Sequence, residues 1–355
     1  MVIAAHLDFS PTLEMNIEAV LLSELVKQYP THQFVFFYTG NPPSSFIKNN
    51  RACSIQVATK AQPIYIYHIW SWFSLPRLLK KYKVDIFVNC NLLFNKYIHI
   101  PQVLFYSKQF IPQNKKRATK IPDFKNLAIA FTEKYFIASS NWAVPEEKLY
   151  ETGYPIAEGF AAASWQEKLS IKTEFTAGQD FFISIINPQN KNQAIKVLKA
   201  FSIFKKRQKS AIELILVLKG MLIEEAVPEF HLYKYRQEVS VQPWIGEAQT
   251  NRLLAAAFAH IAVSNFIEVT DALISLSCKV PVIVLDSERF QNLFKQAAIY
   301  CQNEEKSIAD GMMEIYKNEL LQQTLIENSQ EITIFHTLAS SCSKLWDAII
   351  KIKHS

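Results

Sequence analysis

The chain has 355 residues, 49% of them hydrophobic and 20% charged, with a formal net charge of +6. That length points to two domains, since one hydrophobic core rarely grows beyond about 250–300 residues. The composition excludes disorder, and so modest a charge permits attraction to anionic ligands or headgroups without implying nucleic-acid binding.

In chain order, a short buried strand is expected at residues 2–5. Residues 15–29 carry Ile17, Val20, Leu21, Leu25 and Val26 at a helical period. A strand at 33–38 ends near Gly40, where Pro42 and Pro43 break the chain. Short strands follow at 54–57 and 64–67, then a helix at 75–82 and strands at 84–89, 103–106 and 135–138. From 155 to 178 the pattern weakens around Gly159, Ala161, Ala162, Ala163 and Gly178, and this stretch reads as a linker. Alternation resumes with a strand at 181–186, a helix at 192–206 and a strand at 213–218 ending at Gly220. A strand at 239–241, a helix at 250–259, a strand at 260–263, a helix at 272–277 and a strand at 280–285 come next. Helices at 305–316 and 320–328 and an amphipathic segment at 337–352 complete the chain.

Strands alternating with helices imply βαβ units and mostly parallel sheets. Two such runs define an α/β protein of two Rossmann-like domains, 1–160 and 161–335, with a C-terminal helix in 336–355. Ligands of open α/β sheets sit at the carboxyl ends of the strands, so the site is expected in the cleft between the domains.

The five cysteines are scattered and odd in number, without a CxxC pair or a Cys/His cluster. Neither a disulfide framework nor a zinc site is expected, and free thiols fit a reducing, cytoplasmic compartment. The eight histidines share no motif, so metal or triad chemistry has no support. No run of about 18 apolar residues occurs, and the first six residues lack the features of a signal peptide. Glycine is scarce: seven residues, about 2%, against ~7% on average. Backbone amides that bind phosphate use glycine where the chain approaches the ligand, so any such site here is rebuilt.

Four segments of the second half carry a family likeness. Residues 181–192 (FFISIINPQNKN), continuing to Ala200 and Phe201, are similar to a strand followed by P-R-K-N … A-F. Residues 214–220 (LILVLKG) resemble L-V-L-V-G. Residues 241–264, from Trp244 through Leu253 to Ser264, resemble the stretch from V-x-F-L-G to A-x-x-x-V-x-P-S. Residues 276–282 (LSCKVPV) resemble M-A-C-G-x-P-V. In the first half the likeness is confined to 15–37 and to 136–140, similar to the family's I-x-x-S strand. These segments resemble the retaining, nucleotide-sugar-dependent glycosyltransferases of the GT-B fold, family four.

The resemblance implies that residues 161–335 hold a nucleotide-sugar donor, that residues 1–160 present a glycan or lipid-linked acceptor, and that the C-terminal helix crosses back to the first domain. It implies no cofactor beyond the donor and no metal, since such enzymes use protein cations and helix N-termini. Lys191 would neutralise the diphosphate, with Asn192, Gly220, Trp244 and Thr270 also at the donor and Glu268 facing its sugar. The bland alternatives are a solvated lysine, a core tryptophan, and a helix N-cap at Thr270 or Asp271 with Glu268 solvated beside it.

The sequence departs from the family at the chemistry. Residues 8–16 contain no glycine where a glycine-rich loop belongs, and Tyr106, Ser107 and Lys108 stand where a histidine contacts the donor sugar. Asn190 replaces the arginine, Ile274 the second glutamate and Lys279 a glycine. These losses favour the alternative of a catalytically inactive GT-B scaffold that partners another transferase. Residues 68–83 combine Trp70, Trp72 and Phe73 with Arg77, Lys80, Lys81 and Lys83, and Lys115, Lys116, Arg117 and Lys120 form another basic patch. Both fit peripheral contact with the inner face of a membrane, although charge runs are usually solvated faces. The oligomeric state is not legible.

Overall fold

A computed structural model describes residues 1–9, 17–42, 46, 52–58, 64–90, 97–106, 127–133, 145–157, 159–244, 246–264 and 269–354. The chain divides into two compact units, Met1–Pro155 with Phe335–Ser355, and Ile156–Ile334.

The first unit is built on strands β1 (Val2–Phe9), β2 (Gln33–Gly40), β3 (Ala52–Ala58), β4 (Ile86–Asn89), β5 (Gln102–Tyr106), β6 (Leu127–Phe131) and β7 (Leu149–Glu151). They form one sheet in the order β3-β2-β1-β4-β5-β6-β7, and every pairing is parallel. Successive side chains of a strand face opposite ways. Ile3, Ala5 and Leu7 of β1 and Phe34 and Phe36 of β2 enter one core cluster. Ala4 of β1 and Val35 and Phe37 of β2 enter another. Both faces are therefore apolar and covered, as a parallel sheet requires.

Helix α1 (Ile17–Gln28) buries Leu21, Leu22, Leu25 and Val26, an apolar stripe at helical period. Helix α2 (Ile64–Lys81) corrects the strand expected at 64–67. Its residues Ile64–Tyr67 have strand-like composition, but extending an existing helix adds one hydrogen bond per residue and overrides that weak preference. Ser71, Leu75 and Leu79, four apart, form its buried stripe. The strand expected at 135–138 lies outside the described residues. The period-based reading missed β6 and β7.

The second unit contains a six-stranded sheet of β8 (Phe181–Ile186), β9 (Glu213–Leu218), β10 (Val239–Pro243), β11 (Ala259–Ala262), β12 (Val282–Leu285) and β13 (Ala298–Cys301). The order is β10-β9-β8-β11-β12-β13, again parallel throughout. The part of the expected linker between 165 and 176 is helix α3 (Trp165–Thr176). Its start is specified locally: Ser164 N–H donates to Glu167 Oε2 at 2.7 Å, and Glu167 N–H donates to Ser164 Oγ at 3.3 Å. This is a capping box. Only Ile171 and Thr176 of the helix are buried, so no apolar stripe announced it.

Helices α4 (Asn192–Arg207), α5 (Ile223–Ala226), α6 (Glu247–Ala256), α7 (Val269–Ser277), α8 (Glu288–Phe294), α9 (Glu305–Lys317) and α10 (Glu319–Phe335) follow. The last is longer than expected. Near the end of α4, Lys205 turns inward to pair with Glu238 and donates to the carbonyl of Ile212 at 3.3 Å.

Helix α7 begins three residues before the expected 272, which puts Thr270 and Asp271 inside its first turn and rules both out as N-caps. It ends with Lys279 N–H donating to Leu276 O and Val280 N–H to Ser275 O, both at 2.9 Å. That pair of bonds is a Schellman motif, whose C′ residue is left-handed and usually glycine. Here Lys279 holds it, at φ +58°.

Helix α11 (Leu338–His354) belongs to the first unit. Its Cys342, Leu345, Ala348, Ile349 and Ile352 lie in the same core cluster as Ile3 and Leu21, and Trp346 stacks on Tyr29 with ring centroids 3.8 Å apart. All five cysteines are free thiols. Among the described residues no helix is long and apolar enough to cross a membrane.

Candidate functional site

The strand order of the second sheet reverses between β8 and β11, and this switch point is where open α/β sheets bind ligands. The two strands pair only through Phe182↔Ala259 and Ile183↔His260. Beyond those residues Ser184 Oγ donates to the carbonyl of Ile261 at 2.8 Å, and then the strands part. A pocket opens there, lined by Ser184, Ile185, Ile186, Asn187, Asn190, Gln193, His260, Ala262, Val263, Ser264 and Asp271.

One wall is a 3-10 turn, Pro188–Asn190. Asn187 N–H donates to Asn190 Oδ1 at 2.7 Å, and Asn190 N–H donates to Asn187 Oδ1 at 3.1 Å. The residue standing where the family resemblance has an arginine is thus buried and engaged with its own turn. Lys191 and Asn192, which open α4, are exposed. Lys191 makes no ion pair among the described residues. A lysine at a helix N-terminus adds its charge to the positive end of the dipole, an arrangement suited to an anion.

Asp271, which also lines the pocket and is half-buried, pairs with the buried Lys219 outside the lining. Lys219 directly follows β9 and is 8% exposed; its N–H donates to the carbonyl of Ile186 at 2.8 Å. Its ammonium reaches Asp271 Oδ2 at 3.1 Å. Behind Asp271, Ser275 Oγ donates to the Asp271 carbonyl at 2.9 Å. That commits the hydroxyl hydrogen, so His260 Nδ1, 3.0 Å from the same oxygen, carries the proton and donates. Burial, reinforced by the nearby Lys219 charge, pulls the His260 imidazole down to about 3.

The other residues singled out from the sequence lie at the same carboxyl edge. Gly220 is exposed after β9 at φ +63°. Trp244 is half-buried after β10, its N–H donating to the carbonyl of Leu218 at 2.9 Å. Thr270 is half-buried in the first turn of α7. None of Lys191, Asn192, Gly220, Trp244 or Thr270 lines the pocket itself, although Lys191, Asn192 and Thr270 adjoin residues that do. Glu268 lies outside the described residues, as do residues 10–16, Ser107, Lys108 and the side chain of Tyr106. Ile274 is buried in α7 and Lys279 is exposed, and neither fills the pocket. Among the described residues no group of three His, Cys, Asp or Glu could hold a metal ion.

Sequence reasoning missed Lys219, Asn187 and Ser184, and weighed Asp271 as a cap or as a charge that would repel a phosphate at the start of α7. A lysine terminating the apolar run 214–218 was the one available signal, because a charge there must find a partner.

Helix α2 of the first unit also differs from expectation. Trp70 is half-buried, its ring 4.9 Å from that of His6, so it does not share an outward face with Trp72. Trp72 and Phe73 are 46% and 59% exposed, and Arg77, Lys80, Lys81 and Lys83 are exposed beyond them. The side chain of His68 and the patch at Lys115, Lys116, Arg117 and Lys120 lie outside the described residues.

No protein-family model and no curated protein matches the sequence. Solved structures match along nearly the whole chain. A glycosyltransferase from Rickettsia africae is similar with a TM-score of 0.76 at 11% identity, over 98% of both chains. Anabaena HepE, in complex with UDP-glucose, has a TM-score of 0.68 at 11% identity over 98% of this chain and 99% of its own. The N-terminal domain of Candida albicans trehalose-6-phosphate phosphatase has a TM-score of 0.72 at 12% identity over 99% and 97%. Such identities speak to fold alone. The chain has the GT-B fold, two Rossmann-like α/β units, as the sequence implied.

Proposed function

We propose that the protein is a glycosyltransferase that moves a sugar from a nucleotide-sugar donor to a glycan or lipid-linked acceptor. The observation that carries this reading is the switch-point pocket of the second unit, set in a GT-B fold with the exposed Lys191 next to its lining residue Asn190. In the reaction the bond from the sugar's anomeric carbon to the diphosphate breaks. A nucleoside diphosphate leaves, and an acceptor hydroxyl forms the new bond and loses its proton. Negative charge develops on the leaving diphosphate, and fixed cations and helix amides stabilise it. Lys191 is assigned that role, with Asn192 and the first amides of α4. Gly220 lets the backbone approach the donor, Trp244 stacks on the base, Thr270 bonds a phosphate oxygen and Glu268 faces the sugar. Retention of configuration follows from the family resemblance.

The exposed aromatic and basic face of α2 supports action at an anionic membrane surface, on its cytoplasmic side, where a lipid-linked acceptor resides.

A second reading, a GT-B scaffold that no longer catalyses and partners an active transferase, is favoured by the inward turn of Asn190 and by Ile274. Calorimetry with UDP-, GDP- and ADP-linked sugars separates the two. Donor binding followed by release of nucleoside diphosphate supports the transferase. Absence of heat with every donor at millimolar concentration would turn the assignment to the scaffold.

A further inference from the structure

Gln193, the second residue of α4, lines the switch-point pocket. Its Oε1 is shut off from solvent and has no hydrogen-bond partner among the described residues. A buried polar atom left unpaired is a net cost to the fold, and at a pocket wall it calls for a partner on a ligand. Two neighbouring carboxamides have capacity of fixed sense. Asn187 and Asn190 each commit Oδ1 to the other's backbone N–H, which leaves each NδH2 group as a donor. His260, with its proton on Nδ1 toward Ser275 Oγ, keeps an accepting lone pair on Nε2. Among the described residues no Lys or Arg lines the pocket, and Asp271 is the charged group that does. The cavity is small, about 20 Å3. A single water needs about 10–15 Å3, so an edge of a ligand enters, and not a whole one.

These properties choose among the parts of a nucleotide-sugar. A diphosphate is held by cations, and here it would meet an acid. A base stacks on an aromatic face, and no Phe, Tyr or Trp lines the pocket. A sugar hydroxyl both donates and accepts. It can therefore take the asparagine hydrogens, donate to His260 and answer whichever end of the Gln193 amide faces it. We infer that the pocket receives a hydroxyl-bearing edge of the donor sugar and that Gln193 is the residue that recognises it. The inference rests on reading the pocket as part of a donor site. It gives the sugar to the pocket and leaves the diphosphate to Lys191, beyond Asn190.

The test is titration calorimetry of wild type and Gln193→Leu with UDP-, GDP- and ADP-linked hexoses and with each nucleoside diphosphate alone. Because Gln193 Oε1 bonds to nothing among the described residues, the leucine should leave thermal unfolding unchanged or raised. Gln193→Met substitutes if Gln193→Leu is unstable. The variant should bind the preferred nucleotide-sugar about three- to tenfold more weakly, the loss of one neutral hydrogen bond. It should bind the matching nucleoside diphosphate as wild type does. Equal affinity of both proteins for the nucleotide-sugar, or an equal loss for the nucleoside diphosphate, overturns the inference and leaves the transferase reading standing. Saturation-transfer NMR with the free hexose covers the reverse case. A hexose that binds wild type and not the variant, while neither protein binds a nucleotide, sustains the sugar subsite and sinks the donor reading. Absence of binding by every ligand overturns both.

Discussion

The backbone N–H of Tyr154 donates to Nδ1 of His336 at 2.9 Å, joining residues 182 apart. An accepting Nδ1 puts the ring proton on Nε2, the opposite tautomer from His260. Gly153, at φ +74°, packs so closely that a Cβ there would lie 2.9 Å from His336 Nδ1 and 3.0 Å from the Phe335 ring. His336 is thus walled in, and burial, with the nearby Lys344 charge, pulls it down to about 3. His6 is lowered to about 3 by burial alone.

These histidines make stability depend on pH. Each takes up a proton near 6.5 when unfolded but only near 3 when folded, so between those values the unfolded chain binds more protons. Stability is then complete above about pH 6.5 and falls as the pH drops toward 3, at up to ~1.4 kcal/mol per pH unit for each histidine. Urea unfolding at pH 7 and pH 5 should show this loss. His336→Gln, whose amide oxygen can still accept from Tyr154, should lose about 1–2 kcal/mol less over that interval. An unchanged slope would mean that His336 is not one of the titrating groups.

Lys279 holds a left-handed conformation at the C-terminus of α7, at φ +58°. A side chain there costs about 1–2 kcal/mol that glycine avoids, partly offset by the greater freedom glycine loses on folding. Lys279→Gly should stabilise the second unit by about 0.5–1 kcal/mol and raise its melting temperature by roughly 1–4 °C. Lys279→Ala keeps the backbone cost and removes the charge. If it stabilises as much as glycine does, the effect is electrostatic and the backbone argument fails.

Lys191 is exposed at the start of α4 and has no ion-pair partner among the described residues. Lys191→Ala should therefore leave thermal stability unchanged or slightly raised, since it relieves repulsion from the α4 dipole, while removing the proposed charge-assisted contact to the donor diphosphate. Such a contact is worth about 1.5–3 kcal/mol, or roughly ten- to a hundredfold in donor affinity. Calorimetry with UDP-glucose or another bound donor measures it. Binding that survives the substitution would move the diphosphate away from α4.

Trp72 and Phe73 on α2 are exposed, with Arg77, Lys80, Lys81 and Lys83 exposed beyond them. The protein should sediment with phosphatidylserine-containing vesicles and come off in 1 M salt, where the screening length falls to about 3 Å. Replacing Trp72 and Phe73 with Ala should reduce the bound fraction without unfolding the protein. Equal sedimentation with neutral vesicles, or none with anionic ones, would end the membrane assignment.

The fold class was legible because its signal is local and redundant. The run FFISII of β8 and the run ELILVL of β9 are apolar on both faces, as buried parallel strands must be. The stripe of α1 repeats at 3.6 residues. Where the apolar pattern was weak the reading failed. Helix α3 is specified by the Ser164–Glu167 capping box, with no buried stripe, and so passed for a linker. The first turn of α2, IYIY, has the composition of a strand but is helical, continuous with the helix that it begins.

The candidate site was legible only as an edge. Motif order put Lys191, Gly220, Trp244 and Thr270 after successive strands, and that is where they stand. The pocket depends on something no local pattern encodes. It exists because β8 has β9 on one side and β11 on the other, and because β8 and β11 part after Ile183 and His260. The same order brings Lys219 to Asp271. A period of 2 or 3.6 residues reports which face of an element is buried. It carries no information about which element lies alongside, and the chemistry of this pocket is made of such neighbours.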